Sequence, residues 1–266
     1  MVSQYSFRVW PLVLATGGQP RVVCSSEPEF VTEEELLRLL GPLLANISLA
    51  AIACIVVRPR FAVMLHATQP GQAVAAVVNY QDWRRGVDPF AVVRTLQPLQ
   101  NSGHLQPLEL PQRLEAFTIQ QLQARLVAQD QATLLGAAQA LLDGSRVAFP
   151  AENAADICET LWLMLPYRER TNFSFCTACA APLEGYKFLG LVDAAAERPP
   201  GLLRSDKLAD YPEGRYEAQL QWALEHADDN EYQRLMQRRT SAETLRLAMT
   251  LLGGMVLVLL AMKFLG

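Results

Sequence analysis

Cys176 and Cys179 have the spacing of either a zinc-ligand pair or a thiol–disulfide couple. A structural zinc site needs four ligands, but the chain has no second Cys-x-x-Cys, and His66, His104 and His226 are far apart in sequence. A thiol–disulfide couple favours a pair that opens a helix, whereas the residues before Cys176 have the composition of a strand. We therefore expect structural cysteines, with neither a bound metal nor another cofactor.

Motifs of the common catalytic classes are missing from the sequence. There is no Gly-x-Ser-x-Gly nucleophile elbow, no phosphate-binding Walker loop and no dinucleotide fingerprint. Acidic side chains outnumber basic ones by 27 to 23, which argues against bulk binding of nucleic acid. We expect no catalytic residues, and we predict that the protein is not an enzyme.

Two clusters of arginine, aromatic and acidic residues are better candidates for a functional site. Residues 79–86 read NYQDWRRG at the end of a predicted strand, and residues 166–172 read PYRERTN at a predicted helix-to-strand turn. Exposed arginine and aromatic residues together are typical of protein-binding hot spots. The alternative is a pair of loops held by internal salt bridges. The predicted partner-binding residues are Asp82, Trp83, Arg84, Arg85, Tyr167, Arg168 and Arg170.

The sequences around the two clusters resemble two modules of bacterial GTPase-associated proteins. NYQDWRRGVDPFAVV is similar to a stretch of their N-terminal modules, and LWLMLPYRERTNFSFCT is similar to a stretch of their middle module. The resemblance implies a non-catalytic partner of a GTPase in a bacterial signalling or defence system. Val92 departs from the family, which often has a histidine there. The matching positions are Asp82, Arg85, Gly86, Phe90, Leu165, Pro166, Arg170, Phe173, Phe175 and Thr177.

The most hydrophobic stretch of the chain is residues 247–262, LAMTLLGGMVLVLLAM, which carries no charge. A helix over 247–265 would be roughly 28 Å long, which is close to the thickness of a bilayer's hydrocarbon core. We predict a single transmembrane helix over 245–265, with the preceding body in the cytoplasm because more basic residues precede the helix than follow it. The alternative is a helix packed in the core. The predicted membrane residues are Arg246, Leu247, Leu252, Leu257, Leu260 and Lys263.

The rest of the chain predicts an α+β fold, a mixed α/β globular body of one or two subdomains. The polar, proline-containing segment 97–111 is the best internal boundary. It divides an N-terminal α/β subdomain, 1–100, from a helix-rich α/β subdomain, 112–239. Predicted strands are 5–15, 20–26, 50–57, 61–67, 73–80, 146–149, 172–177 and 186–192, and predicted helices begin at Thr32 and Asp88 or span 119–127, 132–142, 155–165 and 216–239.

These features together predict a membrane-tethered, non-catalytic adaptor that recruits a cytosolic protein partner, with a GTPase as one candidate. The alternative is an effector whose C-terminal helix oligomerises and disturbs the membrane under the control of the cytosolic body. The expected partners are therefore membrane lipid, a protein and, in the second case, further copies of the same chain.

Overall fold

The computed structural model describes residues 5–15, 21–23, 30–47, 50–69, 72–96, 108–112, 117–193 and 199–238, together with Met249 and Leu252. Their strands are β1 (Tyr5–Ala15), β2 (Arg21–Val23), β3 (Ala51–Val57), β4 (Phe61–Gln69), β5 (Gln72–Asn79), β6 (Leu108–Gln112), β7 (Arg146–Pro150), β8 (Phe175–Cys179), β9 (Phe188–Leu191) and β10 (Leu202–Arg204). Their helices are α1 (Glu33–Asn46), α2 (Tyr80–Trp83), α3 (Pro89–Leu96), α4 (Ile119–Leu126), α5 (Gln131–Leu142), α6 (Ala154–Met164), α7 (Tyr167–Arg170), α8 (Ser205–Leu208), α9 (Arg215–Glu225) and α10 (Asp229–Met236).

The strands form one mixed sheet in the order β10-β7-β9-β8-β3-β4-β5-β1-β2, with β6 paired to β1. Strands β3, β4 and β5 form an antiparallel meander, whereas β10, β7, β9 and β8 are parallel neighbours. This arrangement confirms the mixed α/β body. Strand β8 pairs with β3, so the two predicted subdomains contribute strands to the same sheet. Their division into separate folding units stays a prediction.

Hydrophobic side chains cover both faces of the sheet. On β4, Ala62 and Met64 belong to a first core cluster, and Val63 and Leu65 belong to a second cluster on the opposite face. The first core cluster includes buried residues of α3, α5, α6, α9 and α10, and the second includes the buried face of α1. A sheet covered on both faces favours near-continuous apolar runs in its strands, as in residues 61–65 of β4.

Capping residues correctly predicted the start of two helices. The Thr32 hydroxyl accepts a hydrogen bond from the Glu35 backbone N–H at 3.3 Å and begins α1. The Asp88 carboxylate accepts a hydrogen bond from the Phe90 backbone N–H at 2.9 Å, one residue after Pro89 begins α3. Both side chains satisfy backbone donors that have no partner within the helix.

The predicted helix 216–239 is wrong, because the structure has two helices there. The chain turns at Ala227, whose φ is 48°, between α9 and α10. Asp228 then caps α10 by accepting a hydrogen bond from the Glu231 backbone N–H at 3.1 Å. The predicted boundary 97–111 also differs in part, because β6 occupies its end and pairs with β1. Residues 97–107 lie outside the described residues.

The predicted membrane segment lies almost wholly outside the described residues. Met249 and Leu252 are in helical conformation, with 65% and 60% of their surfaces exposed. The membrane residues Arg246, Leu247, Leu257, Leu260 and Lys263 are not among the described residues. Within the part of the chain that is described, no helix has the length and apolar character needed to cross a bilayer. The transmembrane helix stays a prediction.

Candidate partner-binding surface

Each predicted cluster contains a short helix that ends in a loop. Helix α2 begins where the Asn79 side chain accepts a hydrogen bond from the Gln81 backbone N–H at 2.8 Å. It ends before Gly86, whose φ of 96° lies in the region that favours glycine. Helix α7 follows Pro166 and ends at Thr171. Both clusters therefore lie between regular elements, as the sequence predicted, but the short helices α2 and α7 were not predicted.

Trp83 joins the two clusters, which are far apart in sequence. Its indole N–H donates a hydrogen bond to the Thr171 carbonyl at 3.2 Å across a separation of 88 residues. Its ring also packs against Trp162 of α6, with the centroids 5.7 Å apart. The structure therefore brings α2 and the end of α7 together.

We use the name α2–α7 surface for the side chains next to this contact in the sequence, which are Asp82, Arg84, Arg85, Tyr167 and Arg168. Arg84, Arg85 and Arg168 are exposed, and Tyr167 and Asp82 are half-buried. Asp82 accepts a hydrogen bond from Arg85 at 3.1 Å. With the half-buried Glu169 of α7 included, three arginines and two carboxylates give a positive balance of one charge here, although acidic residues predominate in the chain as a whole.

Two of the predicted partner-binding residues do not lie on this surface. Trp83 is 1% exposed and Arg170 is 7% exposed, so the expectation that both face solvent is wrong. Trp83 belongs to the first core cluster, where its apolar ring is removed from water while its N–H retains a partner. Arg170 is buried because its guanidinium satisfies backbone carbonyls inside the protein.

Arg170 binds the C-terminal end of α6. Its Nε donates to the Leu165 carbonyl at 2.8 Å, and its Nη2 donates to the Leu163 carbonyl at 3.1 Å. The last carbonyls of a helix have no partner within the helix, and a positive charge is favourable at that end. The guanidinium also lies 4.7 Å from the centre of the Tyr167 ring. Burial lowers the pKa of the Arg170 side chain, but an arginine remains charged.

Helices α9 and α10 contact the same end of α6. The Tyr232 hydroxyl donates to the Leu163 carbonyl at 2.9 Å, and the Tyr216 hydroxyl donates to the Met164 carbonyl. Arg170 Nη2 also lies 3.3 Å from the Met236 sulfur. These contacts connect α7, α9 and α10 through the end of one helix, a role that the sequence did not predict for Arg170.

An ion-pair network that the sequence did not predict connects α3, α4 and α6. Glu159 on α6 accepts hydrogen bonds from Arg94 at 3.0 Å and from Arg125 at 2.8 Å. Arg94 also lies 3.8 Å from the Asp88 carboxylate, and burial raises the pKa of Asp88. The four residues come from three segments without a shared motif, so no sequence signal could have identified the network.

The cysteines and histidines do not form a metal site among the described residues. No group of three or more histidine, cysteine, aspartate or glutamate side chains there has a geometry that could hold a metal ion. Cys54, Cys158, Cys176 and Cys179 are free and buried. Cys24 and His104 lie outside the described residues. Strand β8 begins three residues later than the strand predicted at 172–177 and contains both Cys176 and Cys179.

A groove between α4 and α9 lies outside the predicted clusters. It is lined by Gln123, Leu126, Val127, Gln131, Leu224 and Glu225. Its one ionisable group is the Glu225 carboxylate, so the lining residues do not provide a nucleophile paired with a base.

Comparison of the sequence with protein-family models gives no match, and comparison with curated proteins gives none either. The resemblance of the two clusters to bacterial GTPase-associated proteins therefore stays a prediction.

Proposed function

We propose that the protein is a non-catalytic adaptor that is tethered to a membrane by its C-terminal segment and binds a cytosolic protein through the α2–α7 surface. The observation that supports the proposal is the hydrogen bond from Trp83 to Thr171, which brings the two clusters into contact. Arginine and aromatic residues are enriched where proteins bind one another. A GTPase is the candidate partner, because this is what the resemblance implies.

The charge of the α2–α7 surface favours an acidic partner. Arg84, Arg85 and Arg168 are exposed, and the structure pairs Arg85 with Asp82. Opposite charges on two proteins steer their encounter and fix their relative orientation. Trp83 and Arg170 contribute to partner binding only indirectly, because their buried side chains fix the positions of α2 and α7 through hydrogen bonds to backbone carbonyls.

Site-specific photocrosslinking in cells tests the binding surface. A photoreactive amino acid replaces Arg84 or Arg168 in the full chain. The matched control replaces Arg38, which is exposed on α1, the helix that packs against the opposite face of the sheet. We expect the same protein to crosslink from Arg84 and Arg168 but not from Arg38. The Arg85→Glu substitution should reduce that crosslink. The proposal is wrong if neither position crosslinks to a protein or if all three give the same product.

Membrane fractionation tests the tether separately. The full chain should remain with the membranes after washes with high salt and alkaline carbonate, because these remove proteins held by charge alone. A chain that lacks residues 247–266 should move to the supernatant. A full chain that is released by carbonate would contradict the tether while leaving the protein-binding surface open to its own test.

The effector alternative is favoured by the exposure of Met249 and Leu252, two apolar side chains that lipid or a second copy of the helix would cover. Expression of the full chain and of the chain without residues 247–266 separates the two functions. Toxicity that depends on the segment indicates an effector, whereas relocation without toxicity indicates an adaptor.

A further inference from the structure

The C-terminal end of α6 is the point where α7, α9 and α10 meet. The Leu163 carbonyl accepts hydrogen bonds from Arg170 of α7 at 3.1 Å and from Tyr232 of α10 at 2.9 Å. The next carbonyl, of Met164, accepts a hydrogen bond from Tyr216 of α9. All three donors are buried, and the last carbonyls of a helix have no partner within the helix. These contacts therefore fix the three helices around one helix end.

Helix α2 and the last residue of α10 lie beside α7. Trp83 of α2 donates a hydrogen bond to the carbonyl of Thr171, the residue after α7, at 3.2 Å. Met236 ends α10, and its sulfur lies 3.3 Å from the guanidinium of the buried α7 arginine. The chain then continues to Arg238, whose guanidinium lies 5.9 Å from the centre of the Tyr216 ring. The body therefore leads into the C-terminal segment beside α7 and the start of α9.

Exposed arginines accompany these buried contacts, each within two residues of a side chain that makes one. In the stretches 80–86, 166–171, 213–217 and 236–238, Glu213 is the one exposed carboxylate, and Asp82, Glu169 and Glu217 are half-buried. The fully exposed charges in these stretches are therefore five positive and one negative. We call the five arginines the basic end of the body, and they are Arg84, Arg85, Arg168, Arg215 and Arg238.

The position of the basic end favours a membrane surface as its ligand. Eight residues, 239–246, separate Arg238 from the apolar stretch that begins at Leu247. A fully extended chain of this length reaches at most about 30 Å, so the proposed tether holds the basic end within that distance of the bilayer. Anionic lipid headgroups attract arginines near the membrane surface. A guanidinium also fits a phosphate group, because it can donate two parallel hydrogen bonds.

We propose that the basic end binds the phosphate groups of anionic lipids in the membrane that holds the C-terminal segment. This inference rests on the proposed tether, and it adds a control on partner binding. The α2–α7 surface shares Arg84, Arg85 and Arg168 with the basic end, so anionic lipid competes with an acidic protein partner for the same arginines. A membrane rich in anionic lipid therefore weakens partner binding, whereas a neutral bilayer leaves the α2–α7 surface accessible.

Arginine footprinting of the full chain with phenylglyoxal tests the proposal. The chain is incorporated into vesicles of phosphatidylcholine, either alone or with about one third phosphatidylglycerol. The vesicles are floated on a density gradient, and the rate of modification of each arginine is measured by mass spectrometry. We expect the five arginines of the basic end to react about fivefold more slowly on the anionic vesicles. Salt at about 1 M should remove this protection, because it screens charges beyond roughly 3 Å.

Arg38 is the internal control, because it is exposed on α1 against the opposite face of the sheet. It should react at the same rate on both kinds of vesicle. Replacement of both Arg84 and Arg168 by glutamate should reduce the protection of Arg215 and Arg238, since it reverses two charges of the basic end. The Arg38→Glu variant should be protected like the unmodified chain.

The proposal is overturned if the chain floats with the neutral vesicles and its basic end reacts at the same rate on both compositions, a result that leaves the tether intact. It is also overturned if Arg38 is slowed equally, since that would indicate a general effect of the charged vesicles. A chain that floats only with the anionic vesicles contradicts the tether but supports lipid binding by the basic end. A chain that floats with neither contradicts both, and the unmodified chain decides each case even if a variant does not fold.

Discussion

Replacement of Arg170 by alanine tests whether this arginine stabilises the fold or binds a partner. Its guanidinium donates to the carbonyls of Leu165 and Leu163, and a hydrogen bond from a charged donor contributes about 1.5–3 kcal/mol. The substitution also removes a buried charge whose desolvation is unfavourable, which offsets part of this loss. We therefore expect the free energy of unfolding to fall by about 3 kcal/mol, with two helix carbonyls left without this donor.

Urea unfolding of the full chain in detergent micelles, followed by tryptophan fluorescence, measures this effect. Trp162 lies 5.8 Å from the Arg170 guanidinium, so its emission should report the change. Arg168→Ala is the matched control, because Arg168 is exposed on the same short helix, and its effect should stay within about 0.5 kcal/mol. If Arg170→Ala unfolds at the same urea concentration as Arg168→Ala, the capping role is wrong.

Two further substitutions test the packing of the sheet. Gly190→Ala should lower the free energy of unfolding by about 3 kcal/mol, because its Cβ would meet the Thr177 carbonyl at 2.0 Å. The control is Gly41→Ala on α1, whose added Cβ has no atom within 4 Å, and it should stabilise the protein slightly in the same denaturant assay. Equal effects of the two substitutions would contradict the close approach of Gly190 to the Thr177 carbonyl. Burial lowers the pKa of His66 below its ordinary 6.5. Above about pH 6.5 the free energy of unfolding should therefore not depend on His66. As the pH falls through about 6.5, the unfolded chain binds the proton more tightly than the folded protein does, so the free energy of unfolding should decrease. His66→Gln should reduce this decline between about pH 7 and pH 5, and an unchanged slope in His66→Gln would refute the assignment.

The predictable parts of the fold are those specified by neighbouring residues. Thr32 and Asp88 each satisfy backbone N–H groups within three residues, so the starts of α1 and α3 can be read from the local sequence. Strands β3, β4 and β5 were predicted because proline and glycine separate their apolar runs, and in the structure they form an antiparallel meander. Local hydrogen bonds and turns need no knowledge of distant residues.

The pairing of β8 with β3 and the shift in register between β8 and β9 could not be predicted from neighbouring residues alone. Both depend on residues far apart in sequence, as when the Ile52 backbone N–H donates to the Thr177 hydroxyl across 125 residues. The break at Ala227 was missed for a different reason. The polar residues around it continue to favour helix, and a single residue with positive φ leaves little trace in composition.

The structure brings the two predicted clusters into contact, but the sequence did not predict which of their side chains are exposed. Tryptophan and arginine have both a large apolar part and polar nitrogens, so composition does not determine whether they face solvent. Trp83 and Arg170 can be buried because their N–H groups donate to carbonyls inside the fold. Trp83 donates to Thr171, and Arg170 donates to Leu165 and Leu163. The Thr171 acceptor can be identified only when the two clusters are placed together, whereas the acceptors of Arg170 lie within seven residues of it in the sequence.

The residues that carry the family resemblance have mostly structural contacts. Phe90 and Phe175 stack with their centroids 5.1 Å apart, and Phe173 lies 5.7 Å from Phe175. Arg170 caps a helix, and Thr177 accepts a backbone hydrogen bond. A shared pattern at these positions therefore argues for a shared packing arrangement between the two segments, and much less for a shared ligand.

The exposed residues of the α2–α7 surface include several that lie outside the resemblance. Arg84, Tyr167 and Arg168 are absent from the matching positions, although they are exposed or half-buried on this surface. Residues that pack a core tolerate little change, whereas exposed residues can vary to suit different partners. If the two stretches do share a fold with the GTPase-associated proteins, the choice of partner would depend on Arg84 and Arg168, which lie outside the matching positions, rather than on the buried residues among them.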